Sequence, residues 1–143
     1  MQAPIILFTY NRPWHTKKTL DSLIKNPQAK DCDLIVYSDG PRSDQDIEKI
    51  NETRALFDHL SGFKSVKLIK RDENWGLAKS IIHGVTETLK TYPHVIVMED
   101  DLEVSPYFLR YMLEGLNLYQ NEEKVASIHG YCLPIQSPLP ETY

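Results

Sequence analysis

Three consecutive acids, Glu99, Asp100 and Asp101, are the side chains of this sequence best suited to chemistry. They directly follow the apolar run 95–98, so like charges are crowded where a buried strand should end. A divalent cation relieves such repulsion, and Mg²⁺ and Mn²⁺ prefer oxygen ligands of this kind. Since residues i and i+2 of an extended chain share a face, Glu99 and Asp101 are predicted to lie together. The alternative is a solvated acidic turn that stabilises the N-terminus of the following helix.

Polar side chains that suit a nucleotide follow other apolar runs. Asp39 can accept a hydrogen bond from a base or a ribose, or it can form an Asx turn before Gly40. Arg12 carries a planar guanidinium group that suits a diphosphate, or it can form an ordinary surface ion pair. Trp14 and Trp75 could stack on a base or a sugar, although half-buried packing is the commoner role of tryptophan.

Short β-branched runs alternate along the chain with longer segments of helical periodicity. The runs predict strands at 5–8, 34–37, 66–69, 95–98 and 125–128. The periodic segments predict helices at 15–25, from 43 or 44 to 60, 76–91 and 105–119, the last opened by Ser105 as N-cap and Pro106 at N1. In the third helix the spacing predicts an inward face made of Leu77, Ile81, Ile82, Val85 and Leu89.

This alternation predicts an α/β fold with three layers, in which helices cover both faces of a mostly parallel central sheet. Ligands of such sheets bind outside the carboxyl ends of the strands. The polar loops that follow the first four predicted strands should therefore open onto one rim of the sheet.

Composition limits the classes of protein to which the chain can belong. Its 143 residues, of which 41% are hydrophobic and 25% charged, fit one globular domain. The net charge of −4 argues against binding a nucleic acid polymer without sequence preference, which needs a basic face. No apolar run is long enough to cross a bilayer, and no signal peptide is recognisable. Cys32 and Cys132 are a hundred residues apart, which favours neither a zinc site nor a disulfide framework. With no signal peptide, we therefore expect a cytoplasmic protein, which could be peripheral at the membrane as part of a longer chain.

Four motifs occur in a fixed order along this chain. They are Ile6–Pro13, Ile35–Gly40, Asn74–Lys79 and Val97–Leu102. Together they resemble the nucleotide-sugar-dependent glycosyltransferases of the GT-A fold, a Rossmann-like three-layer architecture. The similarity is greatest to family-2-like enzymes and to N-acetylglucosaminyltransferase I-like proteins, which share the segment Glu-Asp-Asp-Leu-Glu-Val found here at Glu99–Val104. The resemblance covers residues 3 to 133.

The resemblance implies a nucleotide-binding role for five residues. By position, Thr9 corresponds to a residue near the base and ribose, and Arg12 to one near the diphosphate. Asp39 resembles the aspartate that reads the uracil edge, and Asp100 the residue that contacts the ribose. Lys79 stands where related enzymes often have a basic residue.

The resemblance also implies a metal cofactor, Mn²⁺ or Mg²⁺, with Asp101 as its direct ligand in a DxD-type motif. Glu99 stands where the family has an aspartate and is the candidate for a second ligand. The implied reaction is transfer of a hexose or N-acetylhexosamine from a nucleotide sugar, a UDP-sugar by the resemblance at Asp39, with inversion. The acceptor, which could be a glycan, a lipid-linked molecule or a protein, is not specified.

The division of the chain follows from the same resemblance. We expect residues 1–133 to form the donor-binding domain and the proline-rich residues 134–143 to be an irregular tail, the truncated start of an acceptor half. Inverting members place the catalytic base downstream of the metal motif, so the base is expected beyond Tyr143 and the fold is expected to be incomplete at its C-terminus.

Other functions remain as alternatives, and the first loop argues against several of them. One alternative is a catalytically silent GT-A-like module that binds a ligand through the same rim. A sugar nucleotidyltransferase would carry a glycine-rich first loop, whereas residues 9–12 contain no glycine. The same loop lacks the glycine patterns of dinucleotide-dependent dehydrogenases and P-loop enzymes.

Overall fold

The computed structural model describes residues 3–131. Four strands form the sheet: β1 (Ile5–Thr9), β2 (Asp33–Ser38), β3 (Ser65–Lys70) and β4 (Ile96–Glu99). The helices are α1 (Pro13–Ile24), α2 (Ile47–Ala55), α3 (Leu77–Leu89) and α4 (Phe108–Tyr119), with short 3₁₀ turns at Pro27–Asp31 and Asp44–Asp46. The predicted tail at 134–143, Cys132 and the end of the predicted domain at 133 lie outside the described residues. No helix in the described part is long and apolar enough to cross a membrane.

The four strands are all parallel and lie in the order β3-β2-β1-β4. All five residues of β1 are buried, as expected for a central strand covered on both faces. The register pairs Thr9 with Ser38 and Phe8 with Glu99, so three strands end at nearly the same level. The loops that follow them therefore meet at one edge of the sheet.

Helices cover both faces of this sheet, which confirms the predicted three-layer α/β fold. On one face, Leu7 and Val36 contact residues of α1 and α4, among them Leu23 and Leu109. The opposite face carries a smaller apolar cluster that includes Phe8, against which α3 packs.

The predicted inward face of α3 is only partly correct. Ile81 and Val85 pack against the sheet, but Leu77, Ile82 and Leu89 are exposed, Ile82 to 69%. The buried positions are instead the small residues Ser80, Gly84 and Thr88, which are spaced four apart. Small side chains let the helix backbone approach the aromatic rings of the sheet closely, and this approach rotates the larger residues outward.

All four helices differ from their predicted limits, and α2 and α4 have the largest shifts at a single end. α2 ends at Ala55 and not at residue 60, because the next amides bond to carbonyls three residues back and tighten the last turn. α4 begins at Phe108, after a turn in which the Tyr107 amide donates to Ser105 Oγ. Ser105 therefore caps that turn and is not the N-cap of the helix.

The predicted fifth strand at 125–128 is wrong. It pairs with no strand within residues 3–131. Ile128 packs on α4 at Gly115, where an added Cβ would lie 2.8 Å from Ile128 Cδ1. The segment thus lies against the helical layer, where Ile128 covers α4.

The close packing of α3 predicts an unusual response to Gly84→Ala. Alanine favours an exposed helix interior by about 1 kcal/mol over glycine. At position 84, however, its Cβ would lie 2.7 Å from Phe8 Cζ and 3.0 Å from Tyr37 Cε2. We expect overpacking, which typically costs about 1–3 kcal/mol, to dominate, so that the melting temperature falls.

Gly115→Ala is the matched control for this prediction. Its Cβ would come closest to the terminal methyl group of Ile128, which can move, and would touch the rest of that side chain at ordinary distances, so a smaller change is expected. Thermal unfolding of both variants by circular dichroism checks the prediction, and an unchanged or raised melting temperature for Gly84→Ala would contradict it.

Candidate functional site

A cleft of about 230 Å³ opens at the carboxyl edge of the sheet. Its walls are formed by Phe8, Thr9, Tyr10, Arg12, Tyr37, Asp39, Arg42, Asn74, Gly76, Leu77, Ser80, Glu99, Asp100 and Asp101. Six of the seven residues predicted for the site are therefore brought together: Thr9, Arg12, Asp39, Glu99, Asp100 and Asp101. The position agrees with the general rule for ligands of open parallel sheets.

Asp39, directly after β2, fixes the loop that follows β3. Its Oδ1 accepts the amide N–H groups of Gly40 at 3.0 Å and Trp75 at 2.9 Å, and its Oδ2 accepts that of Gly76 at 2.9 Å. The two loops touch so closely that a Cβ on Gly40 would lie within 2.6 Å of the Glu73 backbone. Gly76 has a φ of 75°, which side-chain-bearing residues rarely adopt. The carboxylate thus sets the shape of this wall of the cleft.

Arg54 of α2 supports the same junction from behind. Its Nε donates to Ser38 Oγ at 2.9 Å, and its Nη2 donates to the carbonyl oxygens of Asp39 at 3.2 Å and Arg71 at 2.7 Å. Burial lowers the pKa of the Arg54 guanidinium, and the nearby carboxylates of Asp72 and Asp39 oppose this effect. One side chain therefore ties the ends of β2 and β3 together.

A second carboxylate, Asp46, joins the first loop to the loop after β2. Tyr10 Oη and Asn11 Nδ2 each donate to it at 2.8 Å, and the amides of Arg42 and Ser43 donate at 3.2 Å. The hydrogen bond from Tyr10 holds the pKa of Asp46 below its ordinary value. Burial is the main reason that the pKa of Tyr10 is raised, and the bond to Asp46 adds to it.

The acidic residues that follow β4 lie beside Arg12. Arg12 Nη1 is 3.0 Å from Asp101 Oδ2 and 4.0 Å from Asp100 Oδ1. Asp100 also accepts the amide N–H of Tyr10 at 3.3 Å, and its burial raises the pKa of its carboxyl group. The chain turns at Asp100, so the strand alternation stops at Glu99. The two carboxylates that lie beside the Arg12 guanidinium are therefore those of Asp100 and Asp101.

Thr9 and Glu99 contribute the last residues of their strands to the cleft. Thr9 is buried, and its Oγ1 has no hydrogen-bond partner within residues 3–131. A buried hydroxyl group without a partner costs free energy, and a ligand that bonds to it would recover that cost.

Lys79 and the two tryptophans do not line the cleft. Lys79 Nζ lies 4.2 Å from the ring centroid of Trp75, and Arg71 covers the same ring at 3.9 Å. Trp14 is exposed on α1, with Lys18 Nζ 4.2 Å from its ring centroid. Both indole rings are therefore covered by positively charged side chains of the protein itself.

The carboxylates fit a metal only if a ligand supplies further oxygen atoms. Within residues 3–131 no group of three or more His, Cys, Asp or Glu side chains is arranged to hold a metal ion. Magnesium typically binds through one or two carboxylates together with substrate phosphates and water. Carboxylates of this acidic segment therefore suit a cation shared with a phosphate group, and they do not form a cage for a cation alone.

Sequence reasoning missed Asp46 and Arg54. The spacing from Ser43 to Asp46 matches a capping box, which the structure contains, and this pattern predicts the bond from the Ser43 amide to Asp46. Its bonds to Tyr10 and Asn11 join residues 36 and 35 positions apart, so no local pattern signals them. The same is true of the bonds made by Arg54.

Comparison with known proteins gives a family model and two similar structures. The model described as glycosyl transferase family 2 matches residues 5–128. A crystal structure of S. aureus TarS superposes with a TM-score of 0.56 and 19% identity, over 84% of this chain and 20% of that chain. A structure of S. aureus TarS 1-349 gives a TM-score of 0.55 and 19% identity, over 84% and 33%. No match was found among curated proteins.

The fold expected from the resemblance is thereby confirmed as GT-A. At 19% identity the likeness to TarS shows the fold alone. This chain spans about a fifth of the length of one TarS structure and a third of the other.

The hydrogen bonds of Asp39 predict the effect of Asp39→Asn. An asparagine has one acceptor oxygen and turns its amide donors towards N–H groups, so at least one bond to the 75–76 backbone is lost. A hydrogen bond to a charged group is worth about 1.5–3 kcal/mol, and we expect a loss of stability in that range. Amide hydrogen exchange at Trp75 and Gly76 should accelerate. Asp44→Asn, on an exposed 3₁₀ turn, should change neither the stability nor the exchange rates. Equal exchange at Trp75 and Gly76 in the wild type and both variants would show that Asp39 does not hold this loop.

The lowered pKa of Asp46 predicts a pH-dependent effect of Asp46→Asn. A carboxyl group with a lowered folded-state pKa stabilises the protein above its unfolded pKa, and this contribution is lost as pH falls through the folded pKa. The variant should therefore melt at a lower temperature than the wild type at pH 7, and the difference should shrink below pH 3.8, the ordinary carboxyl value. Melting curves across the acid range test this. A difference that does not change with pH would rule out the ionic origin.

Proposed function

The chain belongs to glycosyl transferase family 2, and on that basis we propose that its cleft binds the nucleoside diphosphate of a sugar donor together with Mn²⁺ or Mg²⁺. The observation that carries the proposal is the grouping of Arg12, Asp100 and Asp101 at the mouth of the cleft. An arginine and two carboxylates at one point suit a ligand that brings its own anionic oxygens and shares a cation with the protein.

Asp39 and Thr9 form the part of the proposed site that receives the nucleoside. Asp39 Oδ2 accepts a single amide, so a lone pair remains for an N–H group at the edge of a base. Uracil presents such an N–H between two carbonyl groups, which supports a UDP-sugar. The unpartnered Thr9 Oγ1 offers a donor and an acceptor to the base or ribose.

The diphosphate is proposed to lie between Arg12 and the acidic pair. Asp101 would hold the cation, with Glu99 as a second candidate, while Asp100 would accept a ribose hydroxyl. When bound, the cation acts as a Lewis acid that neutralises the charge of the departing diphosphate. Arg12 then turns from Asp101 to the phosphate oxygens, which its planar group can bind through two donors.

The proposed reaction is transfer of the sugar with inversion. The bond between the sugar C1 and the diphosphate oxygen breaks, and its electron pair leaves with the nucleoside diphosphate. The acceptor oxygen forms the new bond to C1 from the opposite face, and its proton passes to a base. No base is assigned among the described residues. A hexosyl or N-acetylhexosaminyl type, an N-acetylglucosaminyltransferase I-like specificity and a cytoplasmic location remain predictions.

Asp101→Ala tests the proposed role of the carboxylate. In the wild type, UDP with Mn²⁺ at about 100 times its Kd should add about 2.7 kcal/mol of stability, which corresponds to a rise of about 5–10 °C. We expect the variant to fold, because Asp101 is exposed in a cluster of like charges, and to lose this rise. Thermal-shift titrations with UDP, GDP and ADP, each with and without Mn²⁺, provide the measurement.

Asp58→Ala is the matched control, because Asp58 is exposed and does not line the cleft. It should retain the full rise with UDP and Mn²⁺. A rise that survives in Asp101→Ala would contradict the proposed metal ligand. The absence of a rise in the wild type with every nucleotide would favour the catalytically silent module.

A further inference from the structure

A second concave surface lies beyond the acidic residues, outside the cleft. It encloses about 450 Å³ between the segment that follows β4, the start of α4 and residues 129–131. Three tyrosines, Tyr107, Tyr111 and Tyr131, form its rim, and Val104 and Phe108 contribute apolar side chains. We call this surface the tyrosine groove. Its volume falls within the usual range of small-molecule sites, about 300–1,000 Å³.

The groove is held in shape by specific contacts. Tyr111 Oη donates to the carbonyl oxygen of His129 at 3.2 Å. Gly130 lies so close to the ring of Phe108 that an added Cβ would clash with the ring. These contacts fix residues 129–130 across the start of α4 and leave the aromatic rings at the rim open. Tyr107 is 71% exposed, Tyr131 75% and Tyr111 52%.

The chemistry of the groove favours a neutral, amphipathic ring. Among the described residues that line it, Glu103 is the one acid, and it is paired with Lys18 at 3.0 Å, so the pair carries no net charge towards a ligand. Tyrosine presents a flat apolar face and a polar hydroxyl group, with little rotamer entropy to lose on binding. A pyranose matches this surface, because it has an apolar C–H face and hydroxyl groups around its edge.

The groove and the cleft are neighbours along the same segment. Asp101 lines the cleft, and Glu103, two residues later, lines the groove. At no more than about 3.6 Å per residue, their Cα atoms are within roughly 7 Å of each other. A sugar ring in the groove would thus lie beside a donor in the cleft.

We propose that the tyrosine groove binds a pyranose ring of a carbohydrate acceptor, next to the donor. This inference rests on the proposed function and names the substrate class of its second site. The tyrosine rings supply stacking surface, and the tyrosine hydroxyls with Ser105 supply hydrogen bonds at the ring edge. The groove selects a neutral sugar and gives no counter-charge to an acceptor that carries phosphate at that ring.

Saturation-transfer difference NMR on the 143-residue chain tests the groove directly. The probes are the methyl β-glycosides of glucose, galactose and N-acetylglucosamine at millimolar concentration, with UDP and Mg²⁺ present. We expect saturation transfer from the wild type to at least one glycoside and a several-fold loss in the double variant Tyr107→Ala/Tyr131→Ala. Tyr107→Phe/Tyr131→Phe should keep most of the signal. Tyr119→Ala, exposed on α4 outside the groove, should keep all of it.

Replacing Mg²⁺ with paramagnetic Mn²⁺ tests the acceptor role. If the sugar lies beside the donor, its resonances should broaden when UDP and Mn²⁺ are both present, and Asp101→Ala should abolish the broadening. A failure of saturation transfer with all three glycosides, or its survival in the double alanine variant, overturns the groove as a sugar site. Sugar binding without broadening overturns its role as the acceptor site.

The experiment separates this inference from the proposed donor site. The thermal shift with UDP and Mn²⁺ should be the same in the wild type and in the double alanine variant, because neither tyrosine lines the cleft. A normal shift with no glycoside binding means that only the groove proposal fails. Glycoside binding with no shift means that the donor site fails, and the acceptor role fails with it.

Discussion

The hydrogen bonds that Asp39 accepts from the backbone of residues 40, 75 and 76 are the constraint on which the cleft depends. They join the loop after β2 to the loop after β3 at a point where the two backbones touch. Gly40 and Gly76 follow from this contact, since one has no room for a side chain and the other has a positive φ. A residue chosen for its capacity to read a base thus also builds the wall on which the base would rest.

The arginines around the cleft are divided between structure and binding. Arg54 and Arg71 are committed to the protein, and burial lowers the pKa of both guanidinium groups. Arg71 stacks on Trp75, which explains why that indole is turned away from the cleft. Arg12 and Arg42 line the cleft and remain largely exposed. The guanidinium groups available to an anionic ligand are therefore those of Arg12 and Arg42, which contribute least to holding the fold.

The sequence predicted the sheet well because each strand is a short apolar run, and a buried parallel strand needs no more than that. The edge at which the polar loops meet followed from the same reasoning. The buried face of α3 was mispredicted because the periodicity of large apolar residues was used to find it. The face that packs on Phe8 is made of Gly84 and its small neighbours instead. The segment 125–128 was mispredicted because a short apolar run can cover a helix, as Ile128 does, as well as join a sheet. Asp46 accepts a hydrogen bond from Tyr10, which is far away in the sequence, so only the local capping role of Asp46 could be predicted.

The pairing of Arg12 with Asp101 is compatible with exchange for a bound cation because both side chains are substantially exposed, 53% and 44%. Exposed ion pairs contribute only about 0–1 kcal/mol, so breaking this one costs little. Asp100 differs, because it is buried and accepts the Tyr10 amide, and it keeps its position whichever partner Asp101 has. The proposed site thus combines a fixed carboxylate for the ribose, Asp100, with an exchangeable one for the cation, Asp101. Asp101 can exchange Arg12 for the proposed cation at little cost because Asp100, which would position the ribose, does not depend on the same ion pair.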